Sequence, residues 1–483
     1  MIKNILKWQT ISSVIIFGLS LLQVAVLARI LELSDFGLVA IVMVVINISQ
    51  VLSDLGMANY LVYRQTISSV LNSTVFWICF LSGILLFLLL SLLAPFIADI
   101  YKQEAISHLL PLSAVAFIPI SLSSQMQARY ICEFKLNELA KFDMISKVLG
   151  TVIAVCTAYM GMGAAAIILG GVSANVMKCI LIWGNAEKVW RPQFLFSIEE
   201  AKSAWKYGVY QIGSQLINQF RGNLDTLLLG FYIDNTQLGA YNLAKQLIQK
   251  PASFILPIVK KVCLPLLASS QSDMEKMRLL VKKAHAYVVV LLILPYTLVC
   301  FLNVDLVTIM YGKGKLEVSL FIVPLALFWA LRSIGGALVG PLAQGLGKTK
   351  IDFYWNVSVL ALYSLLCVVS APYGAYTLAW GLAILQMLLM NMVFVVFYKR
   401  IINFDYRWYI TPILIFFVLS LFSVSISVLL VSSLPFDIIN WLNIALVSML
   451  STVGYYLLSY HFQGNTIALP TPYFFLKSKK SSL

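Results

Sequence analysis

The sequence predicts an all-α integral membrane protein with about fourteen transmembrane helices, and three observations predict it. Of 483 residues, 60% are hydrophobic and 11% charged, where a soluble globular chain carries roughly 25% charged residues. Apolar runs close to the ~20 residues that cross a bilayer core recur along the chain. Its positive charges gather in alternate loops, and the mean hydropathy is +0.90.

The first apolar run begins after Met1 to Lys7 and extends to about Ala28. It is longer than the apolar core of a secretory signal, and no convincing small-residue cleavage site follows, so it reads as a retained first helix. Hydropathy and the Gly, Pro and charge breaks place helices at 9–28, 38–58, 74–97, 109–128, 143–160 and 163–183. These form an N-terminal six-helix lobe over residues 1–184, closed by a polar cytoplasmic linker at 185–204. Spans at 205–231, 237–259, 285–304, 317–342, 353–371 and 373–398 form a second six-helix lobe within 205–400. Two extra helices at 408–432 and 438–460, with a basic cytoplasmic tail, complete 401–483. The expected architecture is two six-helix lobes around a central cavity plus two C-terminal helices.

A formal charge of +14 would suggest nucleic acid in a soluble protein, but its distribution answers otherwise. Lys and Arg are retained on the cytoplasmic side during insertion, and an inside N-terminus satisfies that rule. It leaves Arg29, Lys102, Lys313 and Lys315 outside and Lys178, Arg221, Lys245, Lys250 and Arg332 within helices, with the other basic residues inside. The dense inner segments are Arg129 to Lys147, Lys260 to Lys283 and the tail Lys477, Lys479 and Lys480. The charge is topological, so no nucleic-acid partner is expected; both termini are placed in the cytoplasm and the protein in the cytoplasmic (inner) membrane. Seven cysteines, an odd count without a CxxC spacing, read as small buried hydrophobes.

The second half echoes the first at an offset of about 200 residues. LKWQTISSV at Leu6 and WKYGVYQIG at Trp205 each open a helix, and each is followed by a short outer loop ending in a glycine, Gly37 in SDFGLVAI and Gly239 in TQLGAYNLA. Two halves in one orientation, related by an axis along the membrane normal, are a transporter arrangement.

Polar residues inside the spans mark the candidate pathway. A charge at a helix centre costs at least roughly 2.5 to 3.5 kcal/mol on insertion scales, so such residues normally face the bundle interior or a water-filled cavity. On the seventh helix Gln211, Ser214, Gln215, Asn218, Gly222 and Asp225 recur at three- and four-residue steps on one face, and Arg221 stands four residues before Asp225, within pairing reach. The eighth repeats the pattern with Asn242, Lys245, Gln246 and Gln249, and Lys250 at its edge. Milder counterparts are Gln9, Ser12, Ser13, Ser20 and Gln23 on the first helix and Asn47, Gln50 and Asp54 on the second. Arg332, Gln125, Gln127, Gln386 and Asn391 are further candidates. The substrate-cavity set is therefore Arg221, Asp225, Lys245, Gln246, Asn242, Gln215, Asn218, Arg332, Asp54 and Gln50. A cationic cavity suits an anionic substrate such as a pyrophosphate; the same amides could instead only tie helices together.

Pro251, Pro257 and Pro265 after the eighth helix, and Pro324 and Pro341 in the tenth, are expected to kink the chain. The basic segment Ser269 to His285 has the composition of an amphipathic surface helix attracted to anionic lipid or of a plain solvated linker between the halves. His108, His285 and His461 stand apart, and no HExxH, GxSxG or GxxxxGK[ST] occurs. No enzyme chemistry, metal or cofactor is expected; energy would come from a proton or sodium gradient, a partner, or downstream consumption of the substrate.

ARILELSDFGLVAI (Ala28 to Ile41), SDLGMANYLVYRQ (Ser53 to Gln65), LAPFIADIY (Leu93 to Tyr101), QARYICEFKLNELAKFD (Gln127 to Asp143), LDTLLLGFYIDNTQLGAYNLAKQL (Leu224 to Leu247) and PLAQGLGKTKIDFYWN (Pro341 to Asn356) occur in that order. Together they resemble the polysaccharide transporter family of the MOP flippase superfamily over roughly residues 1 to 400. The resemblance implies a bilobed bundle with a V-shaped central cavity. It would flip undecaprenyl-pyrophosphate-linked oligosaccharide units, of an O-antigen, capsule or exopolysaccharide, to the outer leaflet. Membrane lipids, a glycan polymerase and a chain-length regulator are the partners it implies. The Glu133 to Leu136 stretch is less basic than the family pattern, and the last two helices resemble the extra pair of the lipid II flippase, which keeps a peptidoglycan precursor in view.

Two other readings are a multidrug and toxin exporter of the same superfamily, expected to use buried carboxylates for organic cations, and a membrane-embedded glycan polymerase or ligase, expected to carry a large outer loop. Here the intramembrane cations outnumber Asp54 and Asp225, and the outer loops are short.

Overall fold

The computed structural model describes residues 2–53, 60–61, 64, 68–187, 190–268, 270–271, 273–433 and 440–466. It is 90% helical, with no strand among the described residues. The helices are α1 (Ile2–Ile30), α2 (Leu33–Ser53), α3 (Ser69–Tyr101), α4 (Ile106–Ala114), α5 (Phe117–Cys132), α6 (Leu136–Tyr159), α7 (Ala164–Asn185) and α8 (Ile198–Tyr232). They continue with α9 (Asn235–Ala268), α10 (Met274–Phe301), α11 (Asn303–Tyr311), α12 (Ser319–Gly336), α13 (Val339–Gly345), α14 (Thr349–Ser370), α15 (Ala375–Val393), α16 (Tyr406–Ser432) and α17 (Asn440–Thr466). Among the described residues, 11 helical spans are long and apolar enough to cross a membrane. Three further long helices, α6, α8 and α9, carry more polar residues.

The spans show what a lipid-facing helix requires. Along α3, Leu81, Leu85, Leu88, Leu92 and Phe96 are exposed while Leu86, Leu90, Ala94 and Ala98 are buried, so one apolar stripe faces outward and the opposite one packs inward. On α16, Leu414, Val418, Phe422 and Leu429 are exposed in the same way.

The packing divides the chain into two compact units, Met1–Asn242 with Met310–Gly312 and Cys367–Gly374, and Leu243–Ile309 with Lys313–Leu366 and Ala375–Leu483. The expected domain limits follow the internal repeat, whereas these units follow contact: α8 packs on α2 and α3 and so groups with the helices before it.

In the first unit, α6 and α7 make the most extensive helix pair. A Cβ on Gly150 would lie 2.5 Å from the Gly170 carbonyl oxygen, and one on Gly170 2.6 Å from the Ala154 Cβ. Small residues thus let two membrane helices meet backbone to backbone. Asp35 joins α2 to α7: its Oδ1 accepts from the Ala164 amide at 2.9 Å, capping the first residue of α7.

The connection expected as a plain linker at 185–204 is strapped to the start of α3. Asn72 Nδ2 donates to the Trp190 carbonyl at 3.0 Å, the Gln193 amide donates to Ser73 Oγ at 2.9 Å, the Ser197 amide to Thr74 Oγ1 at 3.0 Å, and Trp77 Nε1 to the Gln193 carbonyl at 3.0 Å. Trp190 is 2% exposed, edge-on to Tyr130 at 5.0 Å. Lys135 Nζ lies 4.7 Å from the Trp190 ring centroid and is hydrogen-bonded to Glu187.

In the second unit two expectations are corrected. Pro251 and Pro257 do not end the helix begun at Asn235, which runs on to Ala268. The basic segment before His285 is not a separate surface helix: Asp273 caps a helix that continues unbroken from Met274 to Phe301. Its charges are held by the rest of the unit, with Arg278 Nε donating to the Ile402 carbonyl at 2.6 Å and Lys282 lying 4.2 Å from the Trp408 ring centroid. His285 is fully buried, its Nε2 3.0 Å from the Tyr409 carbonyl oxygen and its ring stacked on that of Tyr409 at 4.7 Å.

Candidate functional site

The first unit contains a cavity of about 430 Å³, within the range of small-molecule sites, roughly 300–1,000 Å³. Four helices wall it. From α2 come Asn47, Gln50, Val51 and Ser53; from α5 Ile120, Ser123, Ser124, Gln127, Ala128 and Ile131; from α7 Asn175 and Lys178; from α8 Gln215 and Gln219. On each helix these residues are spaced by three or four, so each contributes one face, the spacing that 3.6 residues per turn imposes.

Among the described residues the lining holds six carboxamides, three hydroxyls and one ionisable side chain, Lys178. Several polar atoms are fixed by the fold. Ser123 Oγ donates to the Pro119 carbonyl at 2.9 Å, Gln127 Nε2 donates to Ser123 Oγ at 3.2 Å, and Asn175 Nδ2 donates to the Gly171 carbonyl at 3.0 Å. Gln219 Nε2 donates to the Asn47 carbonyl at 3.4 Å. Lys178 Nζ lies 2.8 Å from Asp143 Oδ1 on α6, with side chains 26% and 40% exposed. A carboxamide carries both donors and an acceptor, so this surface can match a hydroxyl-rich, largely uncharged group.

Of the expected cavity set, the structure brings Gln50 and Gln215 together here. Asp225 and Asn242 are buried elsewhere in the same unit: Tyr241 Oη donates to Asp225 Oδ2 at 2.7 Å, and Thr226 Oγ1 donates to Asn242 Oδ1 at 3.3 Å. Arg221 donates from Nη2 to Asn218 Oδ1 at 3.3 Å. Asn218 and Gln246 are exposed, and Lys245 is 7% exposed. Arg332 lies 4.8 Å from the Trp329 ring centroid and 5.8 Å from that of Phe328. Asp54 lies outside the described residues. Two described polar residues of the first helix are engaged elsewhere: Ser12 Oγ donates to the Ala140 carbonyl at 3.1 Å, and Gln23 Oε1 accepts from Lys147 at 2.6 Å. Gln125, buried and hydrogen-bonded to Asn72, and Gln386, accepting from Tyr363 Oη at 2.7 Å, hold helices together.

Lys178, Asn175, Gln219 and Ser124 were not singled out as site residues in the sequence. Asn175 and Lys178 stand three apart near the end of a helix otherwise rich in small and apolar residues, and Gln219 stands four after Gln215. The spacing was present, but only the fold shows which faces converge.

A second cavity, of about 380 Å³, lies in the second unit between α10, α11 and α17, and is mainly apolar, with Val290, Leu294, Leu298, Leu306, Ile444 and Tyr456 among its lining.

Residues 26–319 match the sequence profile of a family described as Polysaccharide biosynthesis protein. The chain is 32% identical to the amylovoran biosynthesis protein AmsL of Erwinia amylovora, over 73% of this chain and 91% of that one. It is 27% identical to the lipopolysaccharide biosynthesis protein WzxC of Escherichia coli (strain K12), over 86% of this chain and 84% of that one. Its fold is that of a solved structure titled Lipid II flippase MurJ, inward closed conformation, with a TM-score of 0.77, 15% identity, and coverage of 94% of this chain and 98% of that one.

Proposed function

The chain belongs to the polysaccharide biosynthesis protein family, and from that premise we propose that it is a flippase that carries lipid-linked oligosaccharide repeat units across the membrane. The observation that carries this reading is the cavity walled by α2, α5, α7 and α8: six carboxamides and three hydroxyls turned inward among membrane-spanning helices. Lipid-facing surface has no use for such groups, whereas a sugar in transit needs hydrogen-bond partners to replace water. The apolar cavity of the second unit offers a place for part of the isoprenoid chain. The reaction is transport and not catalysis.

The remaining parts of the reading follow the distribution of charge and the family resemblance. The protein sits in the cytoplasmic membrane with both termini inside, α6, α8 and α9 span it with the 11 apolar segments to give about fourteen crossings, and residues 1–184 and 205–400 act as the two lobes. Undecaprenyl pyrophosphate is the carrier, a proton or sodium gradient supplies the energy, and a polymerase and chain-length regulator receive the product. Arg221, Asp225, Lys245, Asn242 and Arg332 act on the path of the substrate. Lipid II transport has the fold in its support, while the family is described by polysaccharide biosynthesis and the two named relatives by amylovoran and lipopolysaccharide biosynthesis.

Deletion of the gene tests the proposal. Undecaprenyl-pyrophosphate-linked oligosaccharide is expected to accumulate on the cytoplasmic face, with its sugars read by mass spectrometry. Intact surface glycan without accumulation would overturn the reading.

A further inference from the structure

We propose that the connection from Arg191 to Ile198 is a membrane-surface anchor, whose apolar side chains enter the lipid leaflet on the linker's side of the membrane and fix the start of α8 there. The partner is phospholipid, whatever the protein transports.

Three observations carry it. Phe194 is 94% exposed, Leu195 39%, Phe196 57% and Ile198 77%, four large apolar side chains within five residues of a connection whose composition reads as polar. An exposed patch of this kind marks an interaction surface. Its position says with what. Trp77 stands four residues before Leu81 of the outward-facing stripe of α3, and so on the same face. The Phe194 ring stacks on Trp77 with centroids 5.3 Å apart and planes 27° apart. Leu81 to Ile100, both exposed, already supply the ~20 residues that a bilayer core takes, which puts Trp77 and Phe194 at its edge, the level where aromatic residues collect. The third observation is the backbone. Non-helical chain approaches hydrocarbon only when its polar groups are paired within the protein. Here the Gln193 and Ser197 amides donate to Ser73 and Thr74, and the Trp190 and Gln193 carbonyls accept from Asn72 and Trp77. A loop held in water needs no such pairing.

Charge favours a lipid leaflet over an apolar protein partner. Arg191 precedes the patch, Lys202 and Lys206 follow Ile198 at four-residue steps on α8, and all three are exposed. Of the nearby carboxylates, Glu199 is exposed and Glu200 pairs with Arg64 at 3.5 Å. An apolar wedge with a basic rim is the pattern that binds an anionic leaflet. The anchor adjoins a helix start, since Ser197 Oγ accepts from the Glu200 amide at 3.4 Å and caps α8. The depth of α8, and with it that of Gln215 and Gln219 in the cavity wall, is thus set by lipid as well as by protein.

Photocrosslinking of the full-length protein in cell membranes tests this. The photoreactive residue 4-benzoylphenylalanine replaces Phe194, Leu81 on the α3 stripe or the exposed Glu275 at the start of α10, one at a time, and adducts are identified by mass spectrometry. The probe at 194 is expected to give phospholipid adducts within about two-fold of the yield at 81 and about ten-fold above that at 275. The probe at Phe196 should behave alike, and stands in for 194 if that variant does not insert. Adducts to another polypeptide, whether a partner or a second copy of this chain, would overturn the proposal. So would a phospholipid yield at 194 and 196 no higher than at 275.

Discussion

Gly37 and Gly239 meet where the starts of two helices cross, each four residues into its own helix. A Cβ on Gly37 would lie 2.0 Å from the Asn235 carbonyl oxygen, and one on Gly239 would lie 1.8 Å from the Leu33 carbonyl oxygen and 3.0 Å from the Gly37 amide nitrogen. Leu33 and Asn235 are the first residues of α2 and α9, so the contact is reciprocal: each glycine accepts the opening carbonyl of the other helix. Real Cβ atoms do not approach oxygen this closely, and both neighbours are backbone, which cannot swing away as a side chain can. Tyr101 at the end of α3 packs on α8, its ring stacked on Phe231 at 4.3 Å and its hydroxyl donating to the Leu227 carbonyl at 3.2 Å.

Alanine at either glycine is therefore expected to force the crossing apart. Overpacking of this kind costs about 1–3 kcal/mol or more. Gly37→Ala and Gly239→Ala should each lower the thermal unfolding midpoint in detergent and reduce surface glycan. Gly171→Ala, where nothing lies within 4 Å of the added Cβ, should leave both unchanged. A normal midpoint in the two crossing variants would show that the helices separate freely.

The two glycines also show how far sequence carries. Their equivalence was legible as an echo at an offset of about 200 residues, because repetition is written in the chain. Their placement was not: both were expected to end short outer loops, and both lie inside helices. The reason is that the helix-opening residues, Leu33-Ser34-Asp35 and Asn235-Thr236-Gln237, are polar enough to read as loop, while their helical state depends on capping and on the crossing partner. The apolar spans were legible for the opposite reason, since hydrophobicity alone sets them. The cavity was half legible: Gln50 and Gln215 stood out as polar residues in apolar surroundings, but convergence of α5 and α7 on them is a property of packing.

Asp35 gives a prediction separable from transport. Its Oδ1 caps α7 through the Ala164 amide at 2.9 Å, and its Oδ2 accepts from the Glu32 amide at 3.1 Å. Loss of a helix cap costs about 0.5–2 kcal/mol. Asp35→Ala should destabilise the protein by that amount, measured by thermal or denaturant unfolding in detergent, and Asp35→Asn, which keeps the accepting oxygen, should recover most of it. Equal losses in both would assign the effect to charge and not to the cap.

The strap at Trp190 predicts a protease phenotype. Trp190 is buried beside the exposed Arg191, so trypsin reaches the arginine readily only when the tryptophan leaves its pocket. Removing a buried aromatic costs about 3–5 kcal/mol, and Trp190→Ala should speed cleavage at Arg191 by at least ten-fold. Asn72→Ala should act in the same direction and more weakly, because it leaves the Trp190 carbonyl and Arg129 Nε without the bonds at 3.0 Å that Asn72 supplies. The Glu187 hydrogen bond raises the Lys135 pKa above the usual lysine value. A raised lysine pKa stabilises the fold at every pH below about 10.4 and is lost only as pH rises beyond it. Cleavage at Arg191, corrected for the protease's own pH dependence, should therefore be level from pH 6 to 9; a rise across that interval would show that another group controls the strap.

Arg221 and Lys245 decide whether intramembrane charge on α8 and α9 serves transport or only architecture. Lys245 is 7% exposed in a helix that begins at Asn235, and Arg221 sits on α8 with Asn218 at 3.3 Å. A cation retained for architecture alone would be missed by the fold: Arg221→Gln and Lys245→Gln would lower stability by leaving their partner groups unmatched, with export per inserted molecule unchanged. A cation retained for an anionic substrate would show the reverse split, with the fold intact and export lost. We expect the second outcome. Arg221→Ala and Lys245→Ala should insert at wild-type levels, by immunoblot of membrane fractions, and lower surface glycan at least ten-fold. Normal surface glycan in both variants would leave the charges to helix packing.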